Sequence, residues 1–210
     1  MNKKITFVIG SLVRGGAEKV IFSLANEYVK KDWDVSIIIL LTNKIEFEID
    51  SRIKIINFTG NCTSRVKRIF YWLKSLRHFF KSHNPDIIVS FVARINVLVL
   101  LSAKRKKHKK IISERNDPRY DGRGLITKIL VRLLYPKADK IVFQTLSCKK
   151  MFTKKIQQKS CIIPNPINIT EFAPNKPRNN NLIIAVGRLA PQKSHQILIE
   201  AMNKELSHHQ

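Results

Sequence analysis

The first residues arranged for chemistry lie in the stretch Lys3-Ile-Thr-Phe-Val-Ile-Gly10-Ser-Leu-Val-Arg-Gly15-Gly16-Ala-Glu-Lys-Val20. A short apolar run reads as a buried strand, and Gly15-Gly16 opens a helix that begins at Ala17. In an open α/β sheet such a turn lies at the carboxyl end of the first strand, where ligands bind. Two glycines let the backbone come close to a ligand, and the free N–H groups of a helix start attract an anion, typically phosphate. A tight turn with a glycine cap accounts for the same residues, and both readings stand at this point. Gly10, Gly15 and Gly16 do not give the G-x-G-x-x-G spacing of a dinucleotide fingerprint.

The second chemical feature is charge. Of 210 residues, 39 are Lys or Arg and 15 are Asp or Glu, a formal net charge of +24. Such a balance points to anionic partners: nucleic acid, an acidic membrane surface or a phosphorylated substrate. Two basic stretches stand out. The helix predicted over Thr63–His83 places Val66, Ile69, Phe70, Leu73, Leu76 and Phe80 on one apolar face, expected to pack on the sheet. Trp72 and Phe79 project from its flank beside Arg65 and Arg68, the arrangement of an interfacial helix on anionic lipid; packing under a neighbouring loop is the alternative. Lys104-Arg-Lys-Lys-His-Lys-Lys110 resembles a nucleic-acid or localisation patch, but it precedes a strand. It therefore belongs at the amino edge of the sheet, away from the ligand edge, and reads as a solvated run.

The elements that must position these residues alternate regularly. Strands are expected at Asp34–Leu41, Ile53–Phe58, Asp86–Phe91, Ile111–Ser113, Lys140–Gln144 and Cys161–Pro164. Helices are expected at Ala17–Lys31, Thr63–His83, Ile95–Ala103 and Gly124–Tyr135. Strands alternating with helices argue for a doubly wound parallel sheet, the Rossmann-like α/β class. At Pro164-Asn-Pro166 the composition becomes that of a linker, and Leu182-Ile-Ile-Ala-Val-Gly187 starts another buried strand with a helix over Lys193–Met202. The expected organisation is a Rossmann-like domain over 1–163, a linker over 164–181 and an incomplete βα start of a second domain over 182–210. That last piece is about 30 residues, where a domain needs roughly 100–150.

Cys62, Cys148 and Cys161 are far apart and odd in number, which gives neither a disulfide framework nor a metal-ligand spacing and fits a reducing cytosol. The N-terminus lacks the features of a secretory signal, and no run of roughly 18 apolar residues is present to span a bilayer. The expected location is cytoplasmic, peripheral on the inner face of the cell membrane.

Taken together, these pieces resemble the family 4 retaining glycosyltransferases of the GT-B fold. The matching residues are Gly15-Gly16-Ala-Glu18, Ser113-Glu-Arg-Asn-Asp-Pro118, Pro164-Asn-Pro166 and Val186-Gly-Arg-Leu189 with Gln192-Lys193. The resemblance implies transfer of a sugar from a nucleotide-diphosphate sugar to a hydroxyl, with no metal or other cofactor, and an acceptor that is a lipid-linked oligosaccharide or surface polysaccharide precursor. It gives Arg188 and Lys193 the donor's pyrophosphate. It gives Gly15, Gly16, Arg115 and Asn116 contacts to phosphates or acceptor. Many members carry histidine where Arg115 stands; an arginine cannot act as general base, so Glu114 is the expected group to orient an acceptor hydroxyl. Glu114 and Arg115 also fit a structural ion pair, Arg188 a carbonyl cap and Lys193 a solvated helix start. Members hold the donor mainly through the second domain, with two glutamates separated by seven residues. The chain ends before such a pair, so the resemblance implies a truncated enzyme, inactive alone. Two other functions stay open: a non-catalytic module binding anionic glycans or lipid phosphates, and a basic nucleic-acid-binding protein. The sequence lacks an RNP-type aromatic motif, a zinc spacing or a clear helix-turn-helix, so no nucleic acid is expected.

Overall fold

The computed structural model describes residues 2–60, 64–104, 107–166, 183–187, 189 and 193–208, the last four in backbone only. The chain divides into two compact units, Met1–Pro166 and Ile167–Gln210. The first is built as β1 (Lys4–Ile9), α1 (Gly16–Lys30), β2 (Asp34–Ile39), β3 (Lys54–Asn57), α2 (Arg65–His83), β4 (Ile87–Phe91), α3 (Ala93–Ser102), β5 (Lys109–Glu114), α4 (Leu125–Leu134), β6 (Lys140–Phe143), α5 (Leu146–Lys150), α6 (Lys154–Gln158) and β7 (Ser160–Ile162). Among the described residues the strands form one sheet in the order β3-β2-β1-β4-β5-β6-β7, with every pairing parallel. The apolar runs Phe7-Val-Ile9 and Ile37-Ile-Ile39 are fully buried because helices cover both faces of the sheet.

The chain leaves β1 to pair with β2 on one side, and β4 then adds on the other side of β1. That reversal is the topological switch point of a doubly wound sheet, and it opens a crevice outside the carboxyl ends of β1 and β4. The cores split accordingly. Val20, Ile21, Ala25 and Val29 of α1 pack with Phe7, Ile37 and Phe91. Trp72, Leu76 and Phe80 of α2 pack with Leu98 and Val99 of α3. The other side of α3, with Val97 and Leu100, packs on Val131 and Leu134 of α4. Helix α3 is therefore wedged between α2 and α4, which is why it is apolar all round.

Helix α2 is turned relative to the face expected from its sequence. Leu76 and Phe80 are buried as expected, but Val66 and Phe70 are 62% and 68% exposed. In their place Trp72 goes inward at 8% exposure, its indole Nε1–H donating to the Phe58 carbonyl at 2.9 Å. Phe79 stacks on His83 and packs edge-on against Phe58. The role at a lipid surface expected for Trp72 and Phe79 is thus corrected: both serve the protein interior, because the loop after β3 offers an indole acceptor and an aromatic partner. Arg65 is exposed, and the Arg68 guanidinium sits over the Trp72 ring at 5.4 Å.

The basic run before β5 is corrected as well. The strand begins at Lys109, two residues earlier than expected, and draws His108 and Lys110 inside. His108 Nδ1 lies 2.7 Å from the Pro85 carbonyl oxygen, and Lys110 Nζ donates to the His108 carbonyl and pairs with Asp139 at 3.3 Å. These two side chains are structural, while Lys104, Lys107 and Lys109 are exposed.

Burial is the largest influence holding the His108 imidazole below its ordinary pKa, with Lys107 and Lys110 adding to it against the Pro85 carbonyl and Asp86. Burial likewise depresses His83, packed beside Asp34 and Ser36. A group that binds protons less well when folded makes the unfolded state the better base. Stability should therefore be full above the unfolded histidine value of about 6.5 and fall as pH drops toward the lower folded values. Thermal unfolding midpoints should decline from about pH 7.5 to about pH 5.5, and His83→Gln/His108→Gln should flatten that decline.

In the second unit, the described residues 183–187 are not paired in a strand, and Ile184 and Val186 are 72% and 90% exposed. The buried strand expected there is not formed, since an apolar parallel strand needs neighbours on both edges and none pairs with it among the described residues. Helix α7 (His195–His208) follows, opened by Ser194 at φ +51°.

Candidate functional site

Because every pairing is parallel, Gly10–Gly16 after β1 and Glu114–Asn116 at the end of β5 leave the sheet on the same edge. Two strand spacings, about 10 Å, separate β1 from β5.

The loop after β1 is braced, not free. Leu12 bridges to Ile45, and the Arg14 amide donates to the Glu46 carboxylate at 2.8 Å. Gly15 is extended at φ −165°, which any residue adopts, so its glycine is not demanded by the backbone. A Cβ there would instead strike the carboxylate of Glu18, which folds back over the helix start and accepts from Ser11 Oγ at 3.3 Å. The anion position at the start of α1 is thus faced by the protein's own carboxylate. At Gly16 a Cβ would stand 3.8 Å from Asn165 Nδ2.

Asn165 is the junction of this edge. Its Oδ1 accepts from Arg115 Nη1 at the end of β5 and from Gln144 Nε2 after β6 at 2.8 Å, while its Nδ2 faces Gly16. One amide therefore ties the ends of β5 and β6 to the chain that leaves β7. The Arg115 guanidinium stacks over the Phe91 ring at 4.7 Å, and its Nε, buried, has no hydrogen-bond partner. Burial lowers its pKa from the ordinary arginine value, and its charge persists at any physiological pH. A flat cation clamped by an aromatic ring and an amide is suited to a phosphate or other anionic oxygen.

Beside Arg115 lies a cavity of about 130 Å³, lined among others by Asn116, Arg119, Gln144, Thr145 and Cys148. Asn116 turns its carbonyl toward the Cys148 thiol at 3.8 Å. Burial, with the charges of Glu114 and Asp117, pushes that thiol up to about 11, so it is a neutral wall and not a nucleophile. Val92, at the turn from β4 into α3 on this edge, holds φ +72° and ψ +135°. A β-branched residue there is strained, and such strain concentrates at functional edges.

Glu114 does not reach the acceptor side as expected. It is fully buried, its Oε2 accepts from the Tyr135 hydroxyl at 2.8 Å, and its Oε1 pairs with Arg123 at 3.1 Å. Arg123 Nε donates to Asp121 Oδ2 at 2.7 Å, and Asn96 completes the cluster by donating to Tyr135 and accepting from Ser90. Burial raises the Glu114 carboxyl while Arg123 and Tyr135 oppose the rise. The role expected for Glu114, orienting an acceptor hydroxyl, is corrected: it positions the loop that carries Arg115 and Asn116, because Oε2 accepts from Tyr135 and Oε1 faces the Arg123 cation, both inside the protein.

The structure bonds Arg115 to Asn165 and places Gly16 near the same amide, with Asn116 on the adjoining cavity. Arg188 lies outside the described residues. Lys193 is exposed in the second unit, just before α7. The site residue missed in sequence was Asn165 itself, flanked by Pro164 and Pro166. Two prolines that fix the chain around one amide were the available signal.

The profile of Glycosyltransferase Family 4 matches residues 14–171. An uncharacterized glycosyltransferase of Haemophilus influenzae is 28% identical over 200 residues, covering 94% of this chain and 57% of that protein. A Campylobacter jejuni α-1,4-N-acetyl-D-galactosaminyltransferase, named for a GalNAc-GalNAc-diNAcBac-PP-undecaprenol, is 25% identical over 209 residues, covering 95% of this chain and 56% of its own length. The chain thus spans a little over half the length of these relatives. Among solved structures, sucrose-phosphate synthase from Thermosynechococcus elongatus superposes with a TM-score of 0.68 at 11% identity, over 82% of this chain and 50% of that one, a likeness of fold. The chain belongs to Glycosyltransferase Family 4, and its first unit is a Rossmann-like domain of the GT-B type.

Proposed function

We propose that the first unit is the acceptor-side lobe of a retaining glycosyltransferase that extends a lipid-linked oligosaccharide or a surface polysaccharide precursor at the cytoplasmic face of a membrane. In the reaction, the bond between the sugar's anomeric carbon and the nucleotide diphosphate breaks, and a bond from that carbon to an acceptor hydroxyl forms. The hydroxyl proton is released, and the nucleoside diphosphate leaves with the bonding electrons. Arg188 and Lys193 neutralise that leaving group in this reading, since negative charge grows on the diphosphate as the bond breaks.

The observation that carries the reading is Arg115: a guanidinium clamped between Phe91 and Asn165, on the edge of the sheet that holds the switch-point crevice. The undecaprenol-linked diphosphate in the name of the Campylobacter jejuni relative supports an anionic, lipid-linked acceptor. The test is titration of the chain with an undecaprenyl diphosphate-linked saccharide in detergent micelles, beside the same saccharide lacking lipid and diphosphate. Binding of the first and roughly tenfold weaker binding of the second is the expected result. Equal affinity for both, or none for either, would contradict the reading.

A further inference from the structure

Helix α4 is amphipathic in an unusual sense, because its apolar residues occupy more than the side that faces the core. Val131 and Leu134 go inward, whereas Leu125, Ile126, Ile129 and Leu133 are 73%, 75%, 49% and 61% exposed. At about 100° per residue those four fall within one arc of roughly 100° on the outer side. Lys128 and Arg132, both exposed, line one margin of that arc. A second exposed apolar group lies on α2, where Val66, Ile69 and Phe70 are accompanied by exposed Lys67, Lys74 and Arg77. Both helices pack against α3 and start at the carboxyl edge of the sheet, so Leu125 and Ile126 of α4 and Val66, Ile69 and Phe70 of α2 lie toward the edge that carries Arg115.

Charge decides what such a surface accepts. Helices α2, α3 and α4 contain no Asp or Glu. A second copy of the chain would bring the same uniformly cationic surface against itself, which costs free energy. An anionic bilayer supplies both an apolar layer for the four aliphatic side chains and phosphates for the flanking cations. No described helix is long and apolar enough to cross a membrane, so contact would be from one side.

We infer that the outer face of α4, extended by the first turns of α2, docks on an anionic lipid surface and turns the carboxyl edge of the sheet toward it. The inference builds on the lipid-linked acceptor proposed above and supplies the surface by which the protein reaches it. Ile126, Ile129 and Leu133 enter the headgroup boundary, and Lys128 and Arg132 meet lipid phosphates. Trp72 and Phe79 take no part.

Co-sedimentation of the 210-residue chain with vesicles of phosphatidylcholine alone, and of phosphatidylcholine mixed with phosphatidylglycerol, tests the surface without any sugar. The expected result is binding to the mixed vesicles only, weakened by salt, and lowered about tenfold or more by Ile126→Asp/Leu133→Asp. Leu24→Asp, on α1 at the opposite face of the sheet, should bind as the parent does. These positions are exposed, so an unchanged unfolding midpoint verifies that each variant folds. No binding to the mixed vesicles, or full binding by the α4 variant, would overturn the inference. So would a self-associated chain that the α4 variant dissociates. Since no glycan enters the experiment, its failure leaves the saccharide titration above to stand or fall separately.

Discussion

Replacing Arg123 by methionine is expected to lower folding stability by about 3–5 kcal/mol, because it strands two carboxylates, Glu114 and Asp121, inside the protein. Glu114 is fully buried, and its nearest opposite charge is the Arg123 guanidinium, whose own side chain is 3% exposed. Burial alone would depress the Arg123 pKa; the bond to Asp121 and the charge of Glu114 outweigh it and raise the value. With the cation gone, Glu114 must either stay charged at high cost or take up a proton. The deficit in Arg123→Met should therefore shrink as pH falls through the raised Glu114 value. The double variant Glu114→Gln/Arg123→Met should recover part of the loss, since a neutral amide can still accept from Tyr135. Chemical denaturation of the three variants reads this directly, and a loss under about 1 kcal/mol for Arg123→Met would show the cluster to be incidental.

The second large effect is expected at Arg115. Arg115→Ala should weaken binding of the lipid diphosphate saccharide roughly 10- to 100-fold, the range for losing a charge-assisted contact. Arg115→Lys keeps the charge but not the flat fork that stacks on Phe91 and meets Asn165, so it should restore only part of the affinity. Isothermal titration beside thermal unfolding separates recognition from folding. Arg115→Ala with parental affinity would remove this residue from the site.

Much of the architecture was legible in sequence because parallel strands buried on both faces leave a direct mark. Asp34–Ile39 and Ile87–Phe91 are nearly continuous runs of apolar residues, and the Gly-Gly pair and Pro85 punctuate the chain before each. Helix α2 was legible as a helix but not in its rotation. Its apolar residues cover one broad arc of roughly 180°, and which part of it turns inward fell to tertiary partners: the Phe58 carbonyl took the Trp72 indole, and Phe70 was left outside. The burial of Lys110 could not be read from a run of cations, since it depends on Asp139, 29 residues later in the chain.

The site divides in the same way. Its edge followed from topology, because parallel strands put all their carboxyl ends together. The roles of individual residues did not follow. Glu114 sits beside Arg115 in sequence, but alternation along β5 sends one inward to Tyr135 and the other out to the edge. Asn165 is 50 residues from Arg115, and their contact depends on where β7 delivers the chain after pairing with β6.

The proposal that the Asn165-centred edge is the ligand edge is tested most directly by residue-resolved amide shifts during titration with the undecaprenyl diphosphate-linked saccharide. The amides of Gly16, Arg115, Gln144 and Asn165 should move together along one binding curve. Shifts confined to Lys107–Lys110, at the opposite edge of the sheet, would mean that the chain binds the anion through charge alone and that the acceptor site lies elsewhere.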